Sequence, residues 1–109
     1  MGKGESVMSV YLQATLEVKA SELARFNTVM VDAVEILERQ GWKLLNALIQ
    51  RTGRLNTVID IWELESFEHF DMALQAFAAD PRFPDFKKAL DEAVISETLV
   101  FAVKAPYAH

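Results

Sequence analysis

The alternation of apolar and polar residues in VMSVYLQATLEV (7–18) constrains this chain more than any other feature. Val10, Leu12, Ala14, Leu16 and Val18 fall on one face, and Ser9, Tyr11, Gln13, Thr15 and Glu17 on the other. Period two marks a β-strand with one buried face. Such a strand cannot bury that face alone, so the chain must supply further strands beside it and a helical layer over it.

The remaining periodicities supply both. Leu23, Phe26, Met30, Ala33, Val34 and Leu37 recur at helical spacing and predict a helix over 21–40. Ser21 stands where an N-cap would, Arg39 suits the negative end of the dipole, and Gly41 can close the C-terminus. WKLLNALIQR (42–51) and LNTVIDIWEL (55–64) read as two strands joined through Thr52-Gly53-Arg54, an antiparallel hairpin. A helix capped by Ser66 follows, with Phe67, Phe70, Leu74 and Phe77 as its stripe, and Asp80-Pro81 ends it. Pro84 opens another helix with Phe83, Phe86, Leu90 and Ala93 or Val94 inward, and 96–104 closes the chain as a fourth strand.

The order β-α-β-β-α(α)-β predicts an α+β fold: a ferredoxin-like plait, its four-stranded antiparallel sheet covered by helices on one face, with strands one and three central. One domain over 7–105 is expected, with 1–6 as a flexible leader and 106–109 as a tail. Gly2 and Ser6 fit a myristoylation pattern, but one short enough to arise by chance.

A net charge of -5 argues against a nucleic-acid partner and against adhesion to an anionic membrane. The chain has no cysteine, which excludes a disulfide framework, a thiolate metal site and a cysteine nucleophile, and is compatible with a cytoplasmic protein. The histidines, His69 and His109, are too few for a metal site with the carboxylates near them, and no metal or cofactor is expected. Glu65 is placed to pair with His69 across one helical turn. No serine has a nucleophile-elbow setting and no Gly-rich loop could cradle a phosphate.

Asp60 is the anomaly, a carboxylate inside the apolar run of the third strand. With Ile59 and Ile61 turned toward the helices, Asp60, Trp62 and Leu64 would point away from them. Trp62 and Leu64 would then form an exposed apolar patch, and a second copy of the chain packed sheet against sheet is the remedy. That reading gives a homodimer with Trp62 and Leu64 in the interface. It also gives an inter-sheet cavity lined by Tyr11, Gln13, Thr15, Asp60 and Trp62, suited to a small hydrophobic or aromatic molecule. Asp60 is the one candidate for a general base there, in a cofactor-free monooxygenase or isomerase acting on a small aromatic substrate. Without such chemistry the domain binds and does not catalyse.

The stretch GRLNTVIDIWELESFEHFDMALQAFAADPRF (53–83), with VYLQATLEVKASELARF before it, resembles the NIPSNAP family. That family has a G-x-L-N-x-V-h-x-W-x-Y/L-x-S strand, with h apolar or His, then a helix and an A-x-D-P turn. The resemblance implies membership of the dimeric α/β-barrel group, in which two ferredoxin-like chains pack their sheets together. Two positions depart from it. Leu12-Gln13-Ala14 stands where members often carry an acid and an arginine after the first-strand tyrosine, and Asp60 stands where a histidine is common. The same group includes monooxygenases that use a Trp on the third strand, an Asn on the first and a His on the segment after the following helix. Trp62 matches the first, Gln13 stands near the second, and DPRFPDF has no histidine for the third.

Overall fold

A computed structural model of the chain describes residues 9–108. The expected leader, Gly2 and Ser6, the first residues of the expected opening strand and His109 lie outside the described residues. Strand β1 (Val10–Val18) is followed by a single 3-10 turn (Ala20–Glu22) and helix α1 (Leu23–Arg39). The hairpin of β2 (Lys43–Ile49) and β3 (Thr57–Leu64) comes next, then α2 (Glu68–Ala79), α3 (Phe83–Ala93) and β4 (Val94–Ala102). The strands form one antiparallel sheet in the order β2-β3-β1-β4, with β1 and β3 central as expected. This is the ferredoxin-like plait.

Local chemistry explains the boundaries. Gly41 takes φ 99°, a left-handed conformation that costs glycine nothing, and the Gly41 and Trp42 amides donate to the Glu38 and Leu37 carbonyls. Asp80 accepts a hydrogen bond from the Arg82 amide at 2.8 Å, which turns the chain between α2 and α3. The Arg82 guanidinium bonds Asp80 again, and reaches Glu35 at 2.7 Å and Asp32 at 3.4 Å, tying the α2–α3 corner to α1. Arg25 pairs with Glu92 and links α1 to α3.

Neither expected serine cap forms. Ser21 lies within the 3-10 turn, α1 starts at Leu23 behind Glu22, and no side chain caps it. The side chain of Ser66 instead meets His69 Nδ1 at 2.9 Å. The hairpin loop runs through residues 50–56, longer than the expected three-residue turn. Asn56 takes φ 63° there, and the Gln50 amide donates to the Thr57 carbonyl to close the loop.

The largest correction concerns the parity of β3. In β1 the expected residues face the helices: Val10, Leu12, Ala14, Leu16 and Val18 are all buried. Across from them in register stand Leu64, Trp62, Asp60 and Val58, buried on the same face, while Ile59 and Ile61 occupy the uncovered face. The inward set is therefore the reverse of the expected one. Inward placement of Ile59 and Ile61 would carry Glu63 under the helices and leave Trp62 in water. Trp62 is instead 3% exposed, packed on Leu12, Ala33 and Leu37, and Leu64 is 1% exposed. Both lie in the core beneath the helices, so neither is placed to form a sheet-to-sheet interface.

Candidate functional site

That parity divides the five expected pocket residues. Tyr11, Gln13 and Thr15 lie on the open face of the sheet, while Asp60 and Trp62 lie beneath the helices on the other. No single cavity between two sheets could collect all five. The space that Asp60 lines is inside one chain, between sheet and helices, with a volume of about 250 Å³.

Side-chain size accounts for this space. Ala14 is the smallest residue on the inward face of β1, flanked by Leu12 and Leu16. In register beside it stand Asp60 on β3 and Leu99 on β4, and Ala33 of α1 also lines the space. Two methyl groups where larger side chains could stand leave a void that the surrounding rings do not fill. Those rings pack against one another. Trp42 and Trp62 meet edge to face at 5.3 Å, Trp42 stacks on Phe70 at 5.7 Å, and Phe77 contacts both Phe83 and Phe86. The Trp42 indole N–H donates to the His69 carbonyl at 2.8 Å, fixing the ring. Three lining residues are solvent-exposed, Leu74, Glu97 and Leu99, and they mark the opening along edge strand β4.

Asp60 is 4% exposed, and no hydrogen bond or ion pair reaches its carboxylate among the described residues. Burial without a partner penalises the charged form and pushes the Asp60 pKa up to about 6. Asp60 and Met30 also border a second space of about 130 Å³ between α1 and β2, so the carboxylate stands between two voids. Glu97 occupies an inward position of β4, opposite Leu16, and partial burial raises its pKa as well.

His69 sits outside the cavity. Its Nε2 lies 3.6 Å from Glu65 Oε1, the expected pairing, and its part in the site is the backbone carbonyl that holds Trp42. Among the described residues no group of three or more His, Asp or Glu is arranged to hold a metal ion. No helix among them is long and apolar enough to cross a membrane.

Sequence reasoning singled out Asp60 and Trp62 but passed over Ala14, Trp42 and Glu97. Glu97 was detectable. Glu97, Leu99 and Phe101 share one parity of β4, so the acid sits on the apolar side of its own strand. Ala14 gave no signal, because its importance lies in what it leaves empty.

The sequence matches the NIPSNAP family over residues 11–108. No curated protein sequence matches significantly. Among solved structures, an uncharacterized NIPSNAP domain protein from Burkholderia xenovorans aligns with a TM-score of 0.78 at 22% identity, over 92% of this chain and 98% of that one. A NIPSNAP family protein from Agrobacterium tumefaciens aligns with a TM-score of 0.81 at 14% identity, over 94% and 90%. SnoaB, a cofactor-independent oxygenase from Streptomyces nogalater, aligns with a TM-score of 0.66 at 19% identity, over 93% and 99%.

Proposed function

The chain belongs to the NIPSNAP family, and from that premise we propose that it is a homodimeric domain that binds one compact, largely apolar or aromatic molecule within each chain. One observation carries the binding reading: a ring-lined cavity of about 250 Å³ exposes a buried, unpartnered carboxylate, Asp60. Small-molecule sites combine an apolar lining with a few polar groups that fix orientation. The volume falls just below the roughly 300–1,000 Å³ usual for drug-sized ligands, so the occupant is one or two rings in size. The binding site lies under the helices and not between two sheets.

The dimer rests on a different face. Leu48, Ile59, Ile61 and Val100 stand on the uncovered side of the sheet, and Leu48 and Val100 are about half exposed at 51% and 50%. A helix-free face of that character is stabilised by a second copy packed against it. A cysteine-free chain suits the cytoplasm, where we place it.

Native mass spectrometry of protein purified from its own host tests both parts. A mass of two chains carrying two retained small molecules, one per chain, is expected. A bare single chain at micromolar concentration refutes both parts. In the same assay Ile61→Glu should yield monomer, because it sets a charge in the centre of the open face.

A catalytic reading is favoured by one further observation. A carboxyl with a pKa of about 6 in an apolar cavity is suited to removing a proton near neutral pH. Asp60 would take a proton from carbon next to a carbonyl, leaving an enolate, and return it to the same or a neighbouring position. The check is deuterium uptake from solvent by an enolisable aryl ketone, expected with the native protein and lost in Asp60→Asn. Equal uptake by both removes Asp60 as the base.

A further inference from the structure

The charges around the cavity are all of one sign. Asp60 lies in its wall, Glu97 lies at its mouth, and among the described residues no lysine, arginine or histidine lines it. The other lining side chains are aliphatic or aromatic, and Trp42, Trp62, Phe70 and Phe77 present ring surfaces to the space. Among the described residues nothing donates a hydrogen bond to Asp60, so the acceptor it turns to the cavity is left for whatever occupies it. An anionic occupant would face two carboxylates with no counter-charge in a medium of low polarity. A neutral occupant could satisfy Asp60 with one donor. A cationic occupant would supply both the donor and the missing charge, and aromatic faces attract cations as well.

We infer that the cavity selects a compact arylalkylamine in its ammonium form, with the ammonium hydrogen-bonded to Asp60 and the ring held among Trp42, Trp62 and Phe70. This deepens the binding reading above and rests on it. Glu97 acts earlier on the path, drawing a cation to the opening along β4. The sheet register separates the two acids by the width of β1, with Asp60 beside Ala14 and Glu97 beside Leu16. One small cation therefore meets them in succession and does not bridge them. The net charge of -5 gives the whole molecule an attractive field for such a ligand.

The chain carries its own reporter, because it has two tryptophans and both line the cavity. The experiment follows their emission during titration with 2-phenylethylamine, 2-phenylethanol and phenylacetate. These probes are close in shape and carry charges of about +1, 0 and -1 at neutral pH. The amine should bind roughly tenfold or more tighter than the alcohol, and the acid should bind weakest. In Asp60→Asn the amine-to-alcohol ratio should fall to near one while the alcohol still binds. Glu97→Gln should lower it by a smaller factor. An alcohol that binds the native protein as tightly as the amine overturns the selectivity and leaves the binding reading standing. So does an amine preference that survives in Asp60→Asn, since it would come from the overall field. If none of the three changes the emission at millimolar concentration, the binding reading falls and takes this inference with it.

Discussion

Asp60→Asn is the most informative single change, because its effect on stability must depend on pH in one direction. The ordinary pKa of the group is 3.8, and in the folded protein it is about 6. Between those values the native state holds a proton that the unfolded chain has released. Stability therefore falls as pH rises through that window and is flat above it. The gap corresponds to about 3 kcal/mol at roughly 1.36 kcal/mol per tenfold in the ionisation constant, and water entering through the cavity mouth reduces this to about 2–3 kcal/mol. Asparagine carries no charge and feels no such penalty. Relative to Asp60→Asn, the native protein should lose about 2–3 kcal/mol between pH 3.5 and pH 8, or roughly 8–15 °C in Tm for a chain of this size. Other carboxylates do not confuse the comparison. Glu35 and Asp80, held low by Arg82, and Glu92, held low by Arg25, act in the opposite direction but equally in both proteins. Urea unfolding of the two proteins at matched pH values gives the difference. A gap between them that does not change with pH would refute the reasoning, since it would mean that the folded and unfolded carboxyls titrate alike.

Three further changes probe the rest of the architecture. Trp62→Ala should cost about 3–5 kcal/mol, because the ring lies in the core beneath the helices, and a denaturant midpoint near that of the native protein would contradict its placement. Ala14→Ile should fill the void beside Asp60, altering stability by no more than about 1–2 kcal/mol while abolishing ligand-induced changes in tryptophan emission; retained binding would place the ligand elsewhere. Arg82→Gln should loosen the α2–α3 corner, seen as faster amide hydrogen exchange in residues 79–86 with only a small fall in Tm, because the pairs to Asp32 and Glu35 are exposed and the Asp80 carboxylate still accepts from the residue 82 amide.

The fold was legible because its signals are periodic. Strict alternation fixed the face of β1, helical spacing placed α1, α2 and α3, and the order of elements left one familiar sheet. β3 resisted because both its faces are apolar at the centre, and a charged residue suggested an outward side. Its ends held the better clue: Thr57 and Glu63 share the parity of Ile59 and Ile61, whereas Val58, Trp62 and Leu64 share that of Asp60. The set with a single polar member is the buried one. A buried carboxylate breaks the local rule, and such breaks occur where the fold keeps something besides packing. The cavity itself could not be read from the sequence, because it depends on two small residues, Ala14 on the sheet and Ala33 on a helix, facing one space from opposite layers, and no local pattern records that pairing.

The alternation in the two central strands leaves the chain uneven in what it tolerates. An exchange at Ile61 or Gln13 touches the outside and spares the chamber, and one at Asp60 or Ala14 does the reverse, so each surface can drift under its own selection. A one-codon insertion or deletion within either strand gets no such latitude. It would rotate every following side chain in that strand by half a turn; in the strand 57–64 that sends Trp62 outward and Glu63 inward in the same event. Length in residues 10–18 and 57–64 should be the least negotiable property of this gene, ahead of the identity of any single residue in it.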